Sequence, residues 1–157
     1  MNKQEDIKSD SAVSLRITST KITSVAISGL MACSPSDSRE VGDLINKRTS
    51  RRAEYAWWVL DSPCQWKEGV PEQLEKFLEL VGNLPEGSWK ALSDACSLEI
   101  ICSLAPDDGQ GSFRLNTNTI KRLAELGLAV VVQFWVTDRL WMSESLQPSG
   151  NDGGRAN

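Results

Sequence analysis

The chain has 157 residues, 40% of them apolar and 24% charged, and a formal net charge of −4. That length suits one domain with a substantial core, and the acidic balance argues against a nucleic-acid binder, which would carry a basic face. Histidine is absent, which removes Ser-His-Asp and Cys-His nucleophile activation, imidazole acid–base chemistry and the commonest catalytic zinc sites.

Residues 1–11 are polar and lack the apolar centre of a secretory signal, so they read as a disordered leader on a cytoplasmic protein. No apolar run approaches the roughly twenty residues of a membrane span. From Ala12 the pattern AVSLRITS alternates, with Val13, Leu15 and Ile17 on one face and Ser14, Arg16 and Thr18 on the other, which predicts a half-buried strand. A short helix through Ile22, Val25 and Ala26 follows, with Gly29 as its stop.

Residues 32–52 lack periodicity. They hold a Ser/Pro/Asp turn, Arg39 and a basic cluster of Lys47, Arg48, Arg51 and Arg52. Connections this long in a domain are often functional, and the cluster offers an anion or an acidic partner a site. Glu54 to Asp61 is the second strand, apolar on both faces. One of its tryptophans is expected in the core, with Trp57 favoured, and the other either covers a helix or stays on an accessible face, where Trp58 would serve as a binding residue.

Pro71 suits the first position of a helix in which Leu74, Phe77, Leu78 and Val81 recur at helical spacing, with Gly82 as its stop. A shorter helix over Ser88–Ala95 presents Trp89 and Leu92. Leu98 to Leu104 is the third strand, with Leu98, Ile100, Cys102 and Leu104 on one face, and a breaker-rich turn, APDDGQGS, follows it.

The most regular unit runs from Phe113 to Val136. Asn116 caps a helix whose apolar side is Ile120, Leu123, Ala124 and Leu126, and Gly127 ends it in the left-handed region. Leu128 to Val136 reads as a strand covered on most of its surface, with Trp135 in the core. From residue 143 the tail has a disordered composition. One domain over 12–142 is expected. Cys33, Cys64, Cys96 and Cys102 lie far apart with no CxxC spacing, so they read as reduced thiols, and neither a metal site nor a cofactor is expected.

These features, in order, resemble the DUF4279 family of bacterial domains of unknown function, over roughly Ser14 to Val136. The resemblance rests on the ITSVAISGL helix, the turn through Pro35, Ser36, Ser38 and Gly42, and W-V-L-D-S at Trp58 to Ser62. The PEQLEKFLELV helix, the LEIICSL strand and the F-R-L-N…L-A-E-L-G-L segment complete it. The resemblance implies a compact α+β domain. Strand–helix–strand occurring twice suggests a mainly antiparallel sheet of about four strands with helices on one face, an elaboration of the ferredoxin-like split βαβ arrangement.

Three function classes follow. The first is a non-catalytic protein-interaction domain, immunity- or antitoxin-like, resting on the missing catalytic motifs and on surplus tryptophans as interface anchors. The second is a small-molecule binding module on the open sheet face or the 36–52 loop. The third is an enzyme using a thiol or carboxylates such as Asp37, Glu40, Asp43, Glu54 and Asp61. The candidate binding residues are Ser36, Arg39, Gly42, Arg51 and Trp58, with no catalytic or metal-binding residue assigned. The partner expected is another protein or a small molecule, and neither nucleic acid nor membrane.

Overall fold

Asp10–Ser19 makes β1, the strand on which the sheet is centred, and its burial alternates from Val13 to Ser19. The computed structural model describes residues 10–105 and 112–135. After β1 come α1 (Ser24–Met31), β2 (Asp37–Arg39), β3 (Leu44–Asn46), β4 (Arg51–Arg52), β5 (Ala56–Asp61), α2 (Val70–Gly82), α3 (Ser88–Ala95), β6 (Ser97–Ala105), α4 (Thr117–Glu125) and β7 (Ala129–Phe134). The fold is α+β. Among the described residues five strands form one sheet in the order β2-β5-β1-β6-β7, and β3 and β4 form a separate two-stranded hairpin.

Pairing is antiparallel from β2 through β6, and β7 runs parallel to β6. The sheet is therefore mixed and five-stranded where four mainly antiparallel strands were expected. The chain order also differs from a split βαβ arrangement. β1 lies between β5 and β6, antiparallel to both, and the crossover between parallel neighbours is β6–α4–β7. A parallel pair needs such a crossover, because a tight hairpin reverses the chain.

Alternation decides which face is covered. Val13, Leu15 and Ile17 from β1, Trp58 from β5 and Leu98, Ile100, Cys102 and Leu104 from β6 all point to one side. There they meet Ile27 and Met31 of α1, Leu74, Phe77 and Leu78 of α2, Leu92 of α3 and Leu123 of α4. Each anchor contributes roughly 1.5–3 kcal/mol of burial before the entropy of ordering it is subtracted. Gln73 joins this core fully buried: its Oε1 accepts from Val13 N–H at 3.0 Å, and its Nε2 donates to the carbonyls of Ser11 and Glu68 at 3.1 and 2.7 Å.

The α2 anchors and the β6 face match the periodicity, as does the Asn116 cap, whose Oδ1 accepts from Thr119 N–H at 2.8 Å. Gly127 has φ +68, the left-handed stop expected of it. Gly29 and Gly82 do not serve as stops. α1 runs on to a left-handed Ala32, and Gly82 is helical, with Asn83 capping α2.

The larger departures are at the C-terminal unit. Ile120 is 53% exposed, because α4 docks through Leu123 and a polar seam in which Thr119 Oγ1 and Arg122 both donate to the Glu75 carboxylate. β7 is the edge strand among the described residues, and Val130, Val132 and Phe134 are exposed where a covered strand was expected, with Trp135 59% exposed. β1 also begins inside the expected 1–11 leader. The rest of that leader, most of the 105–112 turn and the tail from 143 lie outside the described residues.

Candidate functional site

Among the described residues no helix contributes to the lining of a cleft on the opposite sheet face. The same alternation that sends Leu15 and Trp58 inward sends Arg16, Thr18, Trp57 and Glu99 outward. These four form the floor of a cavity of about 520 Å³, within the range of small-molecule sites. Its walls come from Arg39 at the sheet edge and from the β3–β4 hairpin and the link after it, through Ile45, Arg51, Arg52, Glu54 and Tyr55.

Two cross-strand pairs order the floor. Arg39 and Trp57 are register partners in β2 and β5, and the guanidinium carbon lies 4.7 Å from the indole centroid. That stacking is worth about 0.5–1 kcal/mol where exposed and more where desolvated. Arg16 and Glu99 are register partners in β1 and β6; Arg16 Nε donates to Glu99 Oε2 at 2.8 Å, and a second guanidinium N–H donates to the same oxygen. The pair fixes the direction of the Arg16 fork without removing all its donors.

The hairpin is closed at its base by local bonds. Gly42 N–H donates to the Ala53 carbonyl at 2.8 Å, Ala53 N–H donates to Asp43 at 2.8 Å, and Arg52 Nη1 donates to the Gly42 carbonyl at 2.7 Å. Gly42 has φ +89, a conformation that a side chain would strain. At the tip, Asn46 Oδ1 accepts from the Arg48 and Thr49 N–H groups.

The sequence candidates divide on this geometry. Arg39 and Arg51 line the cleft. Gly42 shapes the hairpin beside it. Ser36 serves the scaffold: its N–H donates to Val59 and its Oγ accepts from Asp61 N–H, which pins the start of β2 to β5. Trp58 is corrected from surface to core. It is fully buried, with Nε1 donating to Ser28 Oγ at 2.9 Å, and its neighbour Trp57 occupies the cleft. Both faces of β5 read as apolar, so periodicity did not discriminate the two. Arg16 and Glu99 went unassigned because nothing in a single strand shows that they are cross-strand partners.

The carboxylates considered for catalysis are mostly spent on structure. Glu40 Oε1 accepts from Ser24 N–H at 2.9 Å and from its hydroxyl, anchoring the start of α1, while Asp43 Oδ2 accepts from Glu40 N–H. Asp61 accepts from Ser14 Oγ at 2.7 Å. Among the described residues no group of three or more Cys, Asp or Glu is placed to hold a metal ion, and no helix is long and apolar enough to cross a membrane. The four cysteines carry no disulfide. Burial raises the pKa of Cys33 and Cys96 and pushes that of Cys102, in the core, up to about 11.

The family model for DUF4279, a domain of unknown function, matches residues 7–137. The chain belongs to the DUF4279 family. No curated protein and no solved structure matches it. The matched span takes in every element of this DUF4279 domain, and with them both the helix-covered core and the whole lining of the arginine cleft.

Proposed function

We propose that this domain is a non-catalytic binding module that takes a small anionic ligand in the cleft between the open sheet face and the β3–β4 hairpin. The observation that carries the reading is the convergence of four arginines, from β1, β2 and β4, around Trp57 in one cavity that holds only two glutamates. Arginine forks match carboxylate and phosphate oxygens bidentately, and Trp57 with Arg39 already stacked on it offers a flat surface to a planar part of the ligand. The chemistry recognised is a carboxylate or phosphate attached to a flat, partly apolar body. Glu99, tied to Arg16, and the backbone-bound Glu40 and Asp43 are poorly placed as a catalytic acid–base pair, which supports a binding role over an enzymatic one.

A titration with inorganic phosphate, a nucleoside monophosphate and an aromatic carboxylate, read by tryptophan fluorescence and by melting temperature, tests this. The expected result is saturable stabilisation by a panel member, near 2.7 kcal/mol at about a hundredfold excess over Kd. It should be lost in Arg39→Ala and Arg51→Ala variants, whose own melting temperatures without ligand should stay within a few degrees of the parent's. Stabilisation that survives both substitutions, or none from any panel member, counts against a small-anion site.

A second reading keeps the protein-interaction role. Val41, Leu44, Ile45 and Tyr55 leave large apolar side chains exposed on and around the hairpin. A partner protein that buries this rim and inserts an acidic side chain among the arginines would use the same cleft, and this is where an immunity- or antitoxin-like contact would sit. That reading gains if the panel fails while the two arginine variants lose a partner captured by the native protein.

A further inference from the structure

A second cluster of reactive groups lies outside the cleft, where the chain passes from β5 into α2. Cys64 is held in a tight turn: its N–H donates to Ser62 Oγ at 3.2 Å, and its carbonyl accepts from the Lys67 and Glu68 N–H groups, each at 3.2 Å. Lys76 projects toward it from α2, a helix fixed in rotation by the burial of Leu74, Phe77 and Leu78. Lys76 Nζ sits 2.6 Å from Cys64 Sγ and 3.0 Å from Glu68 Oε1. Sulfur is larger than oxygen, so an N–H···S contact should exceed the roughly 2.7–3.2 Å of N–H···O. The observed separation is shorter than either, and it suits two atoms held through one bridging atom.

We infer that Cys64 and Lys76 are an oxidant-responsive pair that becomes covalently joined through a single oxygen, as N–O–S, on exposure to a peroxide. One peroxide oxidises the thiol: an S–O bond forms, the O–O bond breaks, and water leaves a sulfenic acid. A second accepts two electrons from the Lys76 nitrogen: its O–O bond breaks, an N–O bond forms to the sulfenic oxygen, and the displaced N–H and O–H hydrogens leave in two waters. Sulfur and nitrogen each lose two electrons; thiol, amine and two peroxides give the bridge and three waters. Glu68, already bonded to the ammonium, is placed to receive its proton. Cys64 is half-buried and so within reach of a small oxidant, while the fully buried Cys102 is not. The bridge would tie α2 to the turn that precedes it and does not depend on the function of the cleft.

The test is peptide mass spectrometry of the whole protein treated with hydrogen peroxide and digested without reductant. The expected species joins the Cys64 and Lys76 peptides at their summed mass plus one oxygen less two hydrogens. Dithiothreitol should return it to free peptides. It should be absent from Cys64→Ser and from Lys76→Arg, the latter keeping the cation and the wild-type urea midpoint. A cross-link without the added oxygen, a Cys64 that stops at sulfenic or sulfinic acid beside an unmodified Lys76, or the same bridge in Lys76→Arg would each overturn the inference.

Discussion

The two faces of one sheet have been put to different uses, and the adjacent tryptophans of β5 show it most plainly. Trp58 points to the helices, is fully buried, and hydrogen-bonds Ser28. Trp57 points the other way, carries Arg39 on its ring and forms the floor of a cleft. On the first face, polar groups enter only with their partners, as Gln73 does. On the second, charged side chains are held in place by each other and by register, with guanidinium donors left over. A face closed by packing carries stability, and the face left open with ordered charges is the one the proposed ligand would use.

Substitutions can break that contrast or sharpen it. Trp58→Ala should have the largest effect, a loss of about 3–5 kcal/mol in denaturant unfolding, because it empties the core and strips Ser28 of its partner. Trp57→Ala, at a half-buried position that carries the Arg39 stacking, should cost only about 1–2 kcal/mol while abolishing ligand binding. Equal losses for the two would erase the distinction between the faces.

Gln73→Ala comes next, at about 1–3 kcal/mol, since the Val13 N–H is then buried without an acceptor. Cys102 yields a pH-dependent effect of similar size. Its folded pKa, about 11, lies above the ordinary thiol value, so the unfolded chain releases a proton that the folded one retains. Stability should therefore fall as pH rises from about 9 to about 11, by on the order of 2 kcal/mol relative to a Cys102→Ala variant whose urea midpoint is followed across the same range. On the open face, Arg39→Ala should cost less than about 1 kcal/mol of stability, the scale of a partly exposed cation–π contact.

What the sequence disclosed follows the same division. The closed face was legible because burial imposes periodicity: Leu74, Phe77, Leu78 and Val81 on α2, and Leu98 to Leu104 on β6, fell where spacing put them. Edges and open faces impose no such rule. β7 is as rich in valine as a covered strand, yet among the described residues it ends the sheet. The irregular 32–52 segment resolved into β2 and a hairpin because β5 and the Gly42–Ala53 bonds supply partners that no local window contains. Arg39 and Arg51 were identifiable from charge in a long connection. Arg16, Trp57 and Glu99 depend on cross-strand register, which only the assembled sheet defines.

The most direct test of the cleft as the recognition site is an indole N–H NMR titration of the native protein with the phosphate and aromatic carboxylate panel. The Trp57 resonance should shift with saturation on addition of a ligand, while that of Trp58, bonded to Ser28 behind the sheet, stays in place. A Trp58 shift with Trp57 unmoved, or no movement of either at ligand concentrations that stabilise the protein, would contradict it.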